Sequence, residues 1–145
     1  MPDQEQVPSR VMCGHRYRDA PAAIDWLCRV FGFERHAVHF GEDGSVLHAQ
    51  LVLGGGMIFV ASMNDTPFAS LIKSPDEVGG AETRNMYLLV DDADAIHARA
   101  VAEGAEIVIP LDEPPYGGRV FTCRDLEGRL WSVGTYDPWS DVSGQ

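Results

Sequence analysis

Two stretches decide the fold. One is YRDAPAAIDWLCRVFGFE, Tyr17 to Glu34, and the other is its echo about 72 residues later, which opens at Tyr87 as YLLVDDADAI and closes as EGAEI at 103–107. Asp19, Ala23, Ile24 and Gly32 line up with Asp91, Ala95, Ile96 and Gly104. The correspondence runs on from Gly56 and Ile58 to Gly128 and Leu130. A chain that repeats at this period carries two supersecondary units, neither of which buries its apolar face alone.

Each copy spells out the same elements. In the first, a strand over Val11 to Arg18 enters a helix capped by Asp19, with Pro21 in the first turn, where proline is tolerated. Ile24, Leu27, Cys28 and Phe31 form an apolar stripe that predicts a core role for Cys28, and Gly32 ends the helix. Strands follow at Glu34 to Phe40, Val46 to Leu53 and Met57 to Ser62, separated by GEDG and GGG turns. The second copy predicts a strand at Asn85 to Val90, a helix over Ala93 to Glu103 capped by Asp92, and strands at Glu106 to Pro110, Arg119 to Arg124 and Leu130 to Tyr136. Both units read strand, helix, strand, strand, strand. Module one covers about 10–62 and module two about 85–138; the polar segment 63–84 between them is a lid or a tether. The first nine residues read as an extended tail.

With 145 residues and a 45% apolar fraction, the chain fits one domain with a real core. Acidic residues number 22 against 11 basic, and the net charge of -11 repels a phosphate backbone or an anionic membrane. No nucleic-acid partner and no membrane association are expected. The longest apolar runs, such as MIFVA, are far short of the roughly 20 residues of a membrane span. The start MPDQEQ lacks a leader's basic and apolar regions. A cytoplasmic location is expected, and Cys13, Cys28 and Cys123, odd in number and without CxxC spacing, fit reduced thiols.

The strings already quoted, together with HAQLVLGGGMIFV, PPYGGRVF and DLEGRLWSVGTY, give the chain a resemblance to the vicinal oxygen chelate superfamily from Val11 to Pro138. That superfamily groups glyoxalase I, bleomycin-resistance proteins and extradiol dioxygenases, and the chain looks most like its small bleomycin-resistance-like members. The resemblance implies an α+β fold: two tandem βαβββ modules forming a curved mixed sheet around a cleft, usually as a homodimer. It also implies that any metal would be held by His and Glu from the first and last strands of each module. Carried over residue by residue, those positions fall at Met12, near Val60, at Asn85 and at Ser132, none of them a histidine or a carboxylate. No metal and no other cofactor are expected.

Candidate site residues come from what remains. His15 shares strand parity with Tyr17, on the face that should meet the helix, and reads as a core histidine. His97 lies on the second helix and reads as exposed, while His36 and His39, three apart on a strand, fall on opposite faces. In VLHAQLVL, His48 and Gln50 share one face while Leu47, Ala49 and Leu51 share the other. If the first face is concave, His48 is the candidate acid/base, since imidazole moves protons near neutral pH; otherwise it belongs to an exposed edge. In PPYGGR, Tyr116 offers a stacking ring and Arg119 a planar fork of donors, either at a cavity mouth or simply on a hairpin turn. Arg16 shares a face with Met12 and Gly14 and needs a partner there, a ligand carboxylate or a neighbouring Asp or Glu. Phe59 and Tyr87 complete the ligand-binding set, Trp131 is expected in the core, and Trp139 at an edge or dimer contact.

Two functions are consistent with these residues. One is a small-molecule binding protein of the antibiotic-resistance kind, sequestering an aromatic or multi-ring compound in a metal-free dimeric cleft. The other is an enzyme, either a lyase or isomerase using His48 as acid/base, or a metal-dependent member with displaced ligands.

Overall fold

The computed structural model describes residues 8–140, so most of the expected N-terminal tail lies outside it. The chain divides at the Ser74–Pro75 junction into two units, each a βαβββ module. The fold is α+β.

In the first unit, β1 (Cys13–Tyr17) leads into α1 (Ala20–Phe31), followed by β2 (Glu34–Phe40), β3 (Val46–Leu53) and β4 (Gly56–Ser62). Sheet order is β1-β4-β3-β2, with β1 parallel to β4 and the other pairs antiparallel. The Asp19 side chain accepts from Ala22 N, satisfying a helix-end donor, and Gly32 closes the helix in a left-handed conformation at φ 89°. The helix buries a wider band than the predicted stripe: Ala20, Ala23, Ile24, Trp26, Leu27, Val30 and Phe31. Cys28 is only half-buried, at the margin of that band, which extends around the helix toward Trp26 and Val30 on the other side of Leu27. Partial burial raises its thiol pKa, opposed in part by the Arg35 charge and reinforced by Asp25.

α1 covers β1 and β4, so that face of the sheet is dry: His15, Tyr17, Ala49, Leu51, Ile58 and Val60 are all buried. His15 is in the core as expected, its ring stacked on Tyr17 at 6.3 Å. Leu47 does not join Ala49 and Leu51 on this face. His39 pairs with His48, and Phe40 with Val46, so Leu47 is the extra residue of a bulge and points to solvent. A second bulge makes His36 the extra residue between Arg35 and Ala37.

In the second unit, β5 (Tyr87–Leu89), α2 (Ala93–Ala102), β6 (Glu106–Asp112), β7 (Val120–Arg124) and β8 (Leu130–Gly134) repeat the order as β5-β8-β7-β6. Asp92 caps α2 by accepting from Ala95 N. α2 is built on small residues, burying Ala93, Ile96 and Ala100. His97 is half-buried, contrary to the exposed position expected of it, because its ring meets the edge of Phe121 at 5.0 Å. Trp131 is in the core, its indole N–H donating to buried Asp125 at 2.9 Å. Trp139 is 90% exposed.

The two modules match even in their irregularities: the bulge at His36 recurs at Val108, between the Ile107–Cys123 and Ile109–Thr122 pairs. Among the described residues no helix is long and apolar enough to cross a membrane.

Candidate functional site on the open sheet faces

Each sheet has a second face, turned away from its helix. In the first unit the ladder brings together Gly14 opposite Phe59, Phe59 opposite Gln50, Gln50 opposite Ala37, and His39 opposite His48. Arg16 lies opposite Ala61 on the same face. The pairing thus gathers Arg16, His48, Gln50 and Phe59, four of the sequence-predicted residues, on one half-buried surface. The His48 ring lies 4.9 Å from that of Phe59. The Gln50 amide nitrogen is 3.2 Å from His48 Nε2 and donates to it when that nitrogen carries its lone pair. Gly14 adds no side chain beside Phe59, and a Cβ there would meet nothing within 4 Å.

The sequence calls for a partner to Arg16, a ligand carboxylate or a neighbouring Asp or Glu. In the structure its Nη1 donates to the amide oxygen of Asn64 at 2.8 Å, and its guanidinium lies 5.4 Å from the centre of the Phe68 ring. Arg16 therefore draws the start of the 63–84 segment to the sheet face.

In the second unit the open face carries Tyr87, Ser132 and Thr122 in a row. The Ser132 and Thr122 hydroxyls are 2.8 Å apart. Tyr87 donates its hydroxyl to Tyr136 O at 2.7 Å, and Tyr116 packs edge-on against Tyr136 at 4.8 Å. This three-tyrosine cluster depends on two glycines. A Cβ at Gly134 would stand 2.8 Å from the Tyr87 hydroxyl, and one at Gly118, whose φ is +77°, 2.8 Å from Tyr136 N. Loss of solvent around Tyr87 raises its phenol pKa, helped by Tyr116 and offset in part by the hydrogen bond to Tyr136.

Arg119 is engaged elsewhere. Its Nε donates to Asp94 in the first turn of α2 at 2.7 Å, and Glu113 lies 3.9 Å from Nη1, which puts the guanidinium on the helix side of the sheet. The hydrogen bond to Asp94 raises its pKa further. The structure thus brings Tyr87 and Tyr116 together through Tyr136 and leaves Arg119 with α2.

Sequence reasoning passed over His39, Asn64, Phe68 and Tyr136. His39 could have been found by folding the Phe40 to Val46 hairpin with one residue left over; Asn64 and Phe68 carry no sequence signal for their contact with Arg16.

The positions that resemblance assigns to a metal can now be tested on geometry. Val60 pairs with His15 and is fully buried on the helix side, so it is the wrong residue. The error has a simple origin: β1 and β4 correspond to β5 and β8 at an offset one residue greater than β2 and β3 to β6 and β7. Phe59, opposite Gly14, is therefore the counterpart of Ser132, opposite Tyr87. Met12, Phe59, Asn85 and Ser132 include no imidazole, thiolate or carboxylate, and this set does not fit a divalent metal. Among the described residues no group of three or more His, Cys, Asp or Glu side chains is placed to hold one.

Comparison with known proteins agrees with this architecture. An uncharacterized protein of Mycobacterium tuberculosis is 34% identical over 119 residues, 80% of this chain and 68% of the relative. The crystal structure of TioX from Micromonospora sp. ML1 superposes with a TM-score of 0.69 at 34% identity, covering 87% of this chain and 97% of that one. The fosfomycin resistance protein FosX from Listeria monocytogenes, solved as a point mutant with Mn(II) and a dihydroxypropylphosphonic acid, shares the fold at 15% identity and a TM-score of 0.65, with coverage of 88% and 89%. The family model described as the Glyoxalase/Bleomycin resistance protein/Dioxygenase superfamily matches residues 11–133. The chain belongs to that superfamily.

Proposed function

We propose that this protein binds an aromatic or multi-ring small molecule on its open sheet faces, as a cytoplasmic homodimer and without a metal at the superfamily's ligand positions. The observation that carries the reading is the surface made by Phe59, His48 and Gln50: two rings 4.9 Å apart beside an amide, flanked by Arg16. A mostly apolar surface with a few fixed polar groups is the usual make-up of a small-molecule site. Tyr87 and Tyr116 offer further stacking surface in the second module, and the acidic balance favours a neutral or cationic ligand over an anionic one.

The test is a thermal-shift screen of planar aromatic compounds. A ligand held at about 100 times its Kd stabilises the fold by about 2.7 kcal/mol. Phe59→Ala should weaken binding about tenfold, the scale of one lost aromatic pair. If no compound moves the midpoint, or if Phe59→Ala binds as well as the parent, the reading falls.

A second reading rests on the contact between Gln50 and His48. An imidazole oriented by a neighbouring amide is equipped for proton transfer, which would make the protein a lyase or isomerase. Turnover separates the two: product formed by the parent and abolished in His48→Ala marks an enzyme, while binding by the parent without turnover marks a sequestering protein.

A further inference from the structure

We propose that His39 and His48 form a two-imidazole site for a borderline divalent ion of the Cu2+, Ni2+ or Zn2+ class. They are direct cross-strand partners on β2 and β3, on the sheet face away from α1. Their rings are nearly parallel, 17° apart, with centroids separated by 6.5 Å. Metal–imidazole bonds are about 2.0–2.1 Å long, so rotation about the side-chain bonds of exposed His39 is enough to bring one nitrogen of each ring onto a shared ion.

His48 is the ordered half of the pair, held by Phe59 at 4.9 Å and by Gln50 at 3.2 Å. The amide nitrogen of Gln50 faces His48 Nε2, and a half-turn of that amide on ion binding would present its oxygen to the Nε2 proton and leave the Nδ1 lone pair for the ion. That outer hydrogen bond is what a metal-ligating histidine ordinarily makes. Water fills the remaining positions, and the negative net charge favours any cation. The other histidines are placed apart from this pair: His15 is buried on Tyr17, His97 lies against Phe121, and His36 occupies its own bulge.

The site goes beyond the ligand-binding reading and uses none of the superfamily's metal positions. Its test needs only the ion, so the failure of either proposal leaves the other intact.

Untagged full-length protein is titrated calorimetrically with Cu2+, Ni2+ and Zn2+, and the Cu2+ complex is examined by electron paramagnetic resonance. The expected result is one ion per chain, tightest for Cu2+, with two nitrogen donors in the spectrum. Because the second imidazole binds as an intramolecular step, His39→Ala and His48→Ala should each weaken binding on the order of 10²-fold. His36→Ala should change nothing. His39 is exposed, so its variant keeps the test valid even if His48→Ala folds poorly. Parent-like binding in His39→Ala, equal loss in His36→Ala, or no binding by the parent would each overturn the proposal.

Discussion

Cys123 is a residue whose surroundings alter its chemistry strongly. It is fully buried on β7, and desolvation, with a smaller push from the Asp125 charge, raises its thiol pKa from an ordinary 9.0 to about 12. Below pH 9 the thiol is protonated in both folded and unfolded chains, and stability is unaffected. As pH rises from 9 toward about 12, only the unfolded thiol ionises, so stability is lost across that window. Denaturant midpoints measured across it should fall less steeply for Cys123→Ala than for the parent. Equal slopes would show that Cys123 does not drive the alkaline loss. The same burial separates the three thiols toward a thiol reagent, with Cys13 and Cys28 partly accessible and Cys123 reached only on unfolding.

At the scale of elements, both helices begin with an aspartate cap, and the caps expose how far a repeat can be trusted. The repeat aligns Asp19 with Asp91, but the side chain that accepts from the first turn of α2 is Asp92. Asp19→Ala and Asp92→Ala should each cost about 1 kcal/mol in urea unfolding. Asp91→Ala, at an exposed position beside the cap, should stay within about 0.5 kcal/mol of the parent. A large loss for Asp91→Ala would mean that the cap is misassigned. Element order and type were legible because each strand and helix has its own periodicity and its own cap or turn residues. Which residues share a face was legible for Ala49 with Leu51 and for His48 with Gln50, where alternation runs unbroken, but alternation alone left open which of the two faces meets the helix. It failed for Leu47, because a bulge is a property of two paired strands and neither strand announces it alone. Val60 was misplaced for a related reason: one offset was applied to a repeat that needs two. Partners of long side chains were least legible, since Arg16 meeting Asn64 and Arg119 meeting Asp94 depend on where a loop and a helix end come to rest.

For the molecule as a whole, charge is the lever. A net charge of -11 sets carboxylates against one another over the surface, and the ion pairs that relieve this, such as Arg35 with Asp25 and Arg119 with Asp94, are largely solvent-exposed. Exposed pairs contribute little and are themselves screened by salt. The like-charge repulsion is screened as well, and with this imbalance it is the larger effect. Raising sodium chloride from low concentration to about 0.15 M, where the Debye length is about 8 Å, should therefore raise the thermal midpoint. A fall would mean that attractive pairs dominate. The bulge at Leu47 has a consequence at the level of heredity. Leu47 is slack in the pairing: delete that surplus residue, and Phe40–Val46, His39–His48 and Val38–Ala49 remain partners with Ala49 and Leu51 still against the helix, whereas deleting Gln50 would slip Ala49 onto the face that Gln50 held. A one-codon loss at the bulge is thus absorbed, while the same loss three codons on turns part of the strand's comb of side chains over.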